Sequence, residues 1–261
     1  MKTKLLTLAL AALTIGLLGS CKKDNGPKTP KLPEGALSGI FSVSADKKVY
    51  FSKGNLVATI DNSGAPTAWK FAANQYDYIG NAIANNSIGS TAGDIDLFGW
   101  STSTNGGTST TDNYGIKTST TGSDYSGGFY DWGKAVGDGN TWRTLSNDEW
   151  TYLFTNHSKK WATVNGVTGY VIAPDGFAGT LSDTYADDAE LATAGNLVFL
   201  PAAGYRDGSS VSDVGVCGLY WSSTAYDIGD AHSVGFDSSG VSPDGGYRNF
   251  GFSVRLIAEC Q

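Results

Sequence analysis

The side chains that could perform acid–base, nucleophilic or metal chemistry are few in this chain. Its two histidines, His157 and His232, lie far apart, and no group of His and Cys residues has the spacing of zinc ligands. No glycine-rich phosphate loop and no nucleophile elbow occurs. Asp94 and Asp96 are paired carboxylates without a partner acid, so we expect them in turns and on the surface. This inventory predicts no catalytic residue, no metal site and no cofactor.

Two cysteines of the C-terminal part leave their redox state open. Cys217 and Cys260 could form one disulfide, because an exported chain meets oxidising conditions. Two free buried thiols are the alternative, since sequence spacing does not define the distance between two Cα atoms. Both interpretations are retained.

The densest group of polar and aromatic side chains lies between two apolar runs near the C-terminus, in the segment 226–247. Such residues on a rigid sheet make adaptable contacts with a ligand, whereas solvated hairpin residues are the alternative at any single position. The segment therefore predicts a ligand-binding platform. Its candidate residues are Tyr226, Asp227, Asp230, His232, Asp237, Ser239, Asp244 and Tyr247.

The first residues have the order of an export signal. Two lysines precede an apolar run, residues 5–18, which is too short for a stable membrane span, and small residues then precede Cys21. This order resembles the lipobox of bacterial lipoproteins, with an ordinary cleaved signal peptide as the alternative. The resemblance implies a signal peptide over 1–20 and an acylated Cys21, for example carrying palmitate. We expect an anchored, not membrane-spanning, lipoprotein at the outer membrane and exposed at the cell surface.

Composition limits the remainder of the chain. Residues 21–36 are rich in lysine and proline and predict a flexible linker after the lipid. Residues 37–261 show no internal repeat and predict a single domain. The formal net charge is −7, so the chain repels phosphate backbones and we expect no nucleic-acid partner. Aromatic residues make up 12% of the chain and glycines number 35, a combination typical of short strands joined by long turns.

Strands are predicted at the start of this domain. The runs 48–52 and 55–60 predict a hairpin that turns at Lys53 and Gly54, followed by a third strand at 69–71. The segment 74–128 predicts a long loop region, because its apolar residues are sparse. It would be anchored mainly by Ile95, Leu97, Phe98 and Trp100, and more weakly at 114–116.

Two helices are predicted. Ser146 and Glu149 have capping-box spacing, and Leu145 with Trp150 has the spacing of a hydrophobic staple. A second helix is expected at 187–194.

Four C-terminal runs then predict strands, at 196–201, 218–223, 231–236 and 250–257. Apolar and small or polar residues alternate along the last two of these runs. This period of two favours a half-buried antiparallel sheet.

Three of these motifs resemble a known superfamily. Residues 142–150 read WRTLSNDEW and resemble the R-L-P-T-x-x-E-W helix start of the formylglycine-generating-enzyme superfamily. Residues 218–224 and 248–255 resemble the YWSS and G-x-S-V-R ending of its non-enzymatic relatives. Those relatives include the major paralogous domain lipoproteins of Fibrobacter- and Bacteroides-type bacteria and the variable proteins of diversity-generating retroelements, all similar to the C-type lectin fold.

The resemblance implies an α+β, C-type-lectin-like domain with mostly antiparallel strands, two helices and long loops, whose last strands form a binding platform. It agrees with core positions for five aromatic residues and with structural pairing of Arg143 and Arg255 to buried carboxylates or backbone carbonyls. The five aromatic residues are Trp142, Trp150, Trp221, Phe250 and Phe252.

Departures from the family limit its functional implications. Neither Cys217 nor Cys260 lies in a motif that matches the enzymes' cysteine pair, and the calcium-dependent sugar motifs of lectins are missing; Ser242 to Asp244 predicts only a turn. We therefore expect a non-enzymatic surface lipoprotein that binds an extracellular protein or glycan. The alternatives are a structural envelope or fimbria-like component and, third, a formylglycine-generating-enzyme-like oxidase.

Overall fold

The computed structural model describes residues 32–86, 91–102, 114–116 and 127–260. These residues belong to one compact unit that begins at Leu32. The predicted signal peptide and Cys21 lie outside the described residues. Within the described ranges, no helix has the length and the apolar character needed to cross a membrane.

Short strands, mostly antiparallel, and three α-helices make the described part of the chain an α+β protein. The helices are α1 (Ile83–Asn86), α2 (Asn147–Asn156) and α3 (Asp188–Thr193), and a 3₁₀ helix spans Trp132–Ala135. The strands are β1 (Phe41–Ser42), β2 (Lys48–Phe51), β3 (Leu56–Ile60), β4 (Pro66–Phe71), β5 (Gly93–Ile95), β6 (Trp142–Thr144), β7 (Lys159–Val164), β8 (Val167–Ile172), β9 (Thr184–Tyr185), β10 (Val198–Pro201), β11 (Tyr205–Asp207), β12 (Ser210–Ser212), β13 (Cys217–Ala225), β14 (Asp230–Asp237), β15 (Gly240–Tyr247) and β16 (Leu256–Glu259).

The strands form five small sheets among the described residues. Their orders are β1-β2-β16-β6, β10-β8-β7-β9, β4-β3-β5, β13-β14-β15 and the pair β11-β12. Strands β7 and β9 pair in parallel, and the other strand pairs are antiparallel. Because β2 neighbours β16, the first and last parts of the unit share one sheet.

The predicted hairpin at Lys53 and Gly54 is wrong. The strand β2 lies between β1 and β16, whereas β3 lies between β4 and β5, so the two runs belong to different sheets. The predicted third strand is confirmed as the end of β4. Long-range pairing outweighs the local turn signal: the amide of Ser52 donates to the Leu256 carbonyl at 2.9 Å, and the amide of Leu56 donates to the Val254 carbonyl at 2.8 Å.

The half-buried sheet predicted for 250–257 is also corrected. Consecutive residues from Gly251 to Ala258 are buried, so both sides of this segment face protein. Only β16 is a regular strand; Gly251, Phe252 and Ser253 each bridge a different part of the chain. The segment therefore lies in the interior of the unit. Its large and small side chains pack against different parts of the chain on its two sides. Strand β14 is likewise buried on both sides over most of its length.

Helix α2 is confirmed in detail. The Ser146 hydroxyl accepts from the Glu149 amide and the Glu149 carboxylate accepts from the Ser146 amide, which is the predicted capping box. Leu145 and Trp150 are both buried in one apolar cluster with strands of three sheets. The second predicted helix is confirmed as α3, capped by Asp187.

The segment 74–128 holds more structure than a loop. It contains α1 and β5, and its four predicted anchors are fully buried. Asp96, expected on the surface, is buried and accepts hydrogen bonds from the Asn85 amide group at 2.8 Å and the Ile79 amide at 2.7 Å. Burial raises the pKa of the Asp96 carboxyl. Asp94 lies in β5, where its carboxylate pairs with Lys70 at 2.6 Å.

The two arginines differ in their partners. Arg143 confirms the expectation of a carboxylate partner, because its guanidinium makes two hydrogen bonds, 2.7 and 2.8 Å long, to Glu149. Arg255 is buried and donates to the side-chain carbonyls of Asn55 and Gln75, at 3.3 and 3.2 Å, and among the described residues it forms no ion pair and no hydrogen bond to a backbone carbonyl. Burial lowers the pKa of Arg255 to about 10.

Candidate functional site

Three strands near the C-terminus build the frame of the site. Strand β14 pairs with β13 on one side and with β15 on the other. The β14–β15 hairpin keeps an uninterrupted register from the pair Asp237 and Gly240 to the pair Asp230 and Tyr247. Strand β15 is the outer strand of this sheet, and no strand among the described residues pairs with its other edge.

One face of this sheet is held by helix α2. Tyr220 and Phe236 stack at 5.6 Å between ring centroids, and Phe236 also meets Phe154 of the helix at 6.4 Å. The indole of Trp150 reaches the Trp221 carbonyl at 3.3 Å. Because these side chains are buried, the strands that carry the site are fixed by packing.

An open cleft of about 660 Å³ runs along the end of strand β15. It brings together residues from helix α2, strands β11, β13, β14 and β15, and the segment before β16. The lining residues are Asn147, Tyr205, Leu219, Tyr226, Asp230, His232, Pro243, Asp244, Gly245, Gly246, Tyr247, Phe250 and Phe252.

Aromatic rings form much of the cleft surface. Tyr205 and Phe250 stack with their centroids 5.9 Å apart, and Tyr247 meets Phe250 edge-on at 5.4 Å. At the other end, Tyr226 meets His232 edge-on at 5.0 Å. These rings give the cleft large flat surfaces that lose little entropy when a ligand binds.

Two adjacent glycines open the cleft across the outer strand. A Cβ on Gly246 would lie 2.6 Å from the Phe252 ring, so only glycine fits at this position. A Cβ on Gly245 would meet nothing closer than the Ala231 carbonyl at 3.8 Å. Gly245 therefore leaves open space that a larger side chain would fill.

The buried Arg248 side chain supports the loop between β13 and β14, which forms the rim of the cleft. Its guanidinium donates to the Asp230 carbonyl at 3.0 Å, donates to the Asp227 carbonyl, and lies 4.3 Å from the Trp100 ring centre. These contacts hold both ends of the short loop between β13 and β14. The charge of Arg248 is thus directed towards main-chain carbonyls and an aromatic ring.

The electrostatic character of the cleft is acidic. Asp230 and Asp244 line it, and none of its described lining residues is Lys or Arg. Burial raises the pKa of the Asp230 carboxyl, the nearby charge of Asp227 raises it further, and Arg248 opposes both.

Five of the eight residues predicted to bind a ligand meet at this cleft, namely Tyr226, Asp230, His232, Asp244 and Tyr247. The other three stabilise turns. The Asp227 carboxylate accepts from the amides of Gly229 and Asp230, both at 2.8 Å. The Asp237 carboxylate accepts from the Ser239 amide at 2.7 Å in the hairpin turn, away from the cleft lining.

Two expectations near the cleft are wrong. The residues Ser242 to Asp244 form part of strand β15 and not a turn, because the hairpin turns earlier, at Ser239. Phe250 is only partly buried and lines the cleft, whereas the other four aromatic residues predicted for the core are buried. Its ring lies between Tyr205 and Tyr247, which are themselves exposed in part.

Sequence reasoning missed Asn147, Tyr205 and Leu219. Asn147 is the first residue of α2, and its amide bonds to the Thr224 hydroxyl at 3.0 Å, which places the helix start beside the cleft. Tyr205 comes from a strand whose neighbour Arg206 bridges Gly251. No local sequence pattern places Asn147 or Tyr205 at the cleft, because both residues reach it through contacts between distant parts of the chain.

The remaining chemistry-bearing residues lie elsewhere. The ring nitrogens of His157 face the carbonyl oxygens of Ala173 and Ser42 at 2.8 and 2.9 Å, so the ring joins α2 to two strands. Of the two interpretations of the cysteines, the structure has two free thiols at Cys217 and Cys260. Among the described residues, no group of three or more His, Cys, Asp or Glu is placed to hold a metal ion.

Comparison with known proteins gives one similarity. Residues 149–257 match the model of a family described as a domain of unknown function, DUF8237. The matched part runs from the first turn of α2 into β16 and includes most of the cleft lining. No curated protein and no solved structure matches the chain.

Proposed function

We propose that the protein is a non-enzymatic lipoprotein of the bacterial outer membrane that binds an extracellular ligand through the β13–β15 cleft. The observation that carries this proposal is the exposure of large aromatic side chains inside a concave site: Tyr226 is 66% exposed and Tyr247 is 58% exposed. Exposed aromatic rings next to carboxylates on a rigid sheet are typical of a ligand-binding surface in its unoccupied state, because water solvates large apolar side chains poorly.

We further propose that the unit has a C-type-lectin-like fold. Two of the three resemblance motifs support it, because the capped start of α2 and the buried Tyr220 of β13 pack in one apolar cluster. The cleft on the last three-stranded sheet also agrees with the platform that the resemblance implies. An oxidase-like activity is not favoured, because Cys217 and Cys260 are two free thiols outside a motif that matches the enzymes' cysteine pair.

The proposal can be tested by closing the cleft without unfolding the protein. Gly245→Leu places a side chain in the open space, at a strand position whose φ is not positive and whose Cβ would meet no atom closer than 3.8 Å. Ser242→Leu is the matched control, because Ser242 is exposed on the same strand and lies outside the cleft lining. The full chain and both variants, in detergent, are applied to arrays of glycans and of extracellular proteins.

We expect the array signals of the wild type to be lost with Gly245→Leu and kept with Ser242→Leu, while the three thermal unfolding curves coincide. Array signals that persist unchanged with Gly245→Leu would show that the ligand binds outside this cleft.

A further inference from the structure

The apolar surface at the cleft continues onto its rim. Seven large apolar or aromatic side chains among the described residues are exposed, and three of them, Tyr226, Ile228 and Tyr247, lie at one end of the β13–β15 sheet. Ile228, in the loop between β13 and β14, is 71% exposed. The Arg248 amide bonds to the Gly229 carbonyl at 2.9 Å, so this loop stays beside the end of β15. Single exposed apolar residues are common in proteins, but a cluster at the mouth of a cleft favours an interaction site.

Among the described residues, the solvent-facing charges around this rim are carboxylates, whereas Arg248 is buried. Asp230 and Asp244 lie in the cleft, and Asp227 lies in the loop that carries Ile228. Arg248 offsets part of this charge, but its guanidinium is engaged from behind by main-chain carbonyls and the Trp100 ring. A ligand group that enters the cleft therefore meets carboxylates before it meets a cation.

The start of helix α2 does not offset this acidity. Helix N-termini attract anions through free amide groups. Here the Asn147 amide is bonded to Thr224, and the Glu149 amide is bonded to the Ser146 hydroxyl. The helix start beside the cleft is thus already capped, and it does not favour an anionic ligand.

Resting on the function proposed above, we infer that the ligand is a protein segment in which a basic side chain is flanked by apolar side chains. The basic side chain would enter the cleft beside Asp230, which pairs with Tyr247 across the hairpin and lies near the charge of Asp227. The rings of Tyr226 and Tyr247 also favour a cation there. The apolar neighbours would cover Tyr226, Ile228 and Tyr247. A sugar is the less suitable occupant, because a ligand confined to the cleft would leave Ile228, which lies outside the cleft lining and is 71% exposed, in water.

Side-chain recognition is favoured over the addition of a strand. The outer strand β15 contains Pro243, which has no amide hydrogen, and Pro243 pairs with Val234 in an uninterrupted register with β14. The nitrogen of Pro243 therefore points to the outer edge of β15. An incoming strand would find no amide donor at this position.

The inference is tested with an array of nonapeptides that carry arginine, citrulline or glutamate at the centre and combinations of Leu, Tyr and Ser at the four nearest positions. Citrulline has the shape of arginine without its charge. The probe is the full chain in detergent. We expect arginine peptides with apolar neighbours to bind about tenfold more tightly than their citrulline counterparts, a difference that added salt reduces.

Matched variants connect this preference to the cleft. Asp230→Asn combined with Asp244→Asn should abolish the difference between arginine and citrulline. Asp207→Asn should preserve it, because Asp207 is an exposed carboxylate outside the cleft lining. Ile228→Ser should weaken peptides with apolar neighbours and leave the arginine preference intact.

Equal binding of arginine and citrulline peptides, or no peptide binding, would overturn the inference. So would glycan binding that the aspartate variants and salt leave unchanged. In each of these cases the proposed function survives if Gly245→Leu still abolishes binding on the glycan and protein arrays, so the two failures can be distinguished.

Discussion

At the scale of single residues, the burial of a side chain was easier to predict than its hydrogen-bond partners. Large aromatic residues such as Trp150 and Trp221 were expected in the core, and both are buried. Their hydrogen-bond partners could not be predicted, because the Trp221 indole donates at 2.6 Å to the carbonyl of Phe98, a residue far away in the chain. The cleft shows the same limit: tyrosines and aspartates of one segment were predicted, but Tyr205 and Asn147 were not.

The core role of Trp150 leads to a stability prediction. Its ring is 1% exposed and packs against Phe154 at 5.9 Å. Trp150→Ala should therefore lower the free energy of unfolding by about 3–5 kcal/mol, measured by urea denaturation. Thr155→Ala, on the exposed side of the same helix, should change it by less than about 0.5 kcal/mol. An unchanged midpoint for Trp150→Ala would show that the ring is not part of the core.

At the scale of elements, local sequence signals predicted helix starts correctly and a hairpin wrongly. The start of α2 was predicted from Ser146 and Glu149 because a capping box satisfies its amides within four residues. The hairpin at Gly54 was predicted by the same kind of local reasoning and is wrong. Gly54 is instead required by a close approach, since a Cβ there would lie 2.5 Å from the Ala72 carbonyl.

The capping box also predicts an acid dependence. Burial favours the neutral form of Glu149, but the Arg143 guanidinium and the Ser146 amide outweigh burial and hold the Glu149 pKa below its ordinary value of 4.5. A lowered carboxyl pKa stabilises the fold above the unfolded pKa, and this contribution is lost as the pH falls through the folded pKa. Wild type should therefore exceed Glu149→Gln in unfolding free energy at pH 7, and the difference should shrink at pH 3.

The comparison between wild type and variant is necessary because other carboxyls act in the opposite direction. Burial raises the pKa values of Asp96 and Asp131, so their contribution to stability grows as the pH falls. The burial of these two carboxyls is the same in wild type and variant and cancels in the difference, although Arg143, the partner of Glu149, also acts on Asp131. A difference that stays constant from pH 7 to pH 3 would contradict the assigned role of Glu149.

At the scale of the whole molecule, periodicity predicted strands and capping signals predicted helices, the resemblance implied the α+β class, and the arrangement of the sheets was not predictable. The central place of the segment 250–257 depends on its contacts with Phe98, Arg206 and Tyr220, which come from three separate parts of the chain. No local pattern specifies such contacts. The resemblance motifs extend over the last strands, where the structure has a cleft, and its role as a binding platform stays a prediction.

The proposed anchor makes a prediction for the whole protein. Cys21→Ala removes the thiol that would carry the lipid, and the lysine- and proline-rich linker offers no other apolar attachment. The variant should leave the membrane fraction after a high-salt wash, with the thermal unfolding temperature of the domain unchanged. Retention of Cys21→Ala in washed membranes at the wild-type level would exclude the lipid anchor.

The central claim is that the exposed aromatic and polar residues of the cleft bind the ligand and do not hold the fold together. It is tested most directly by replacing Tyr226, Asp230, His232 and Tyr247 together with alanine. Thermal unfolding and binding to the ligands found on the arrays are then measured on the same preparation. We predict an unfolding temperature within about 4 °C of wild type and a loss of binding of at least about tenfold. Unchanged binding by a variant that is still folded would contradict the account.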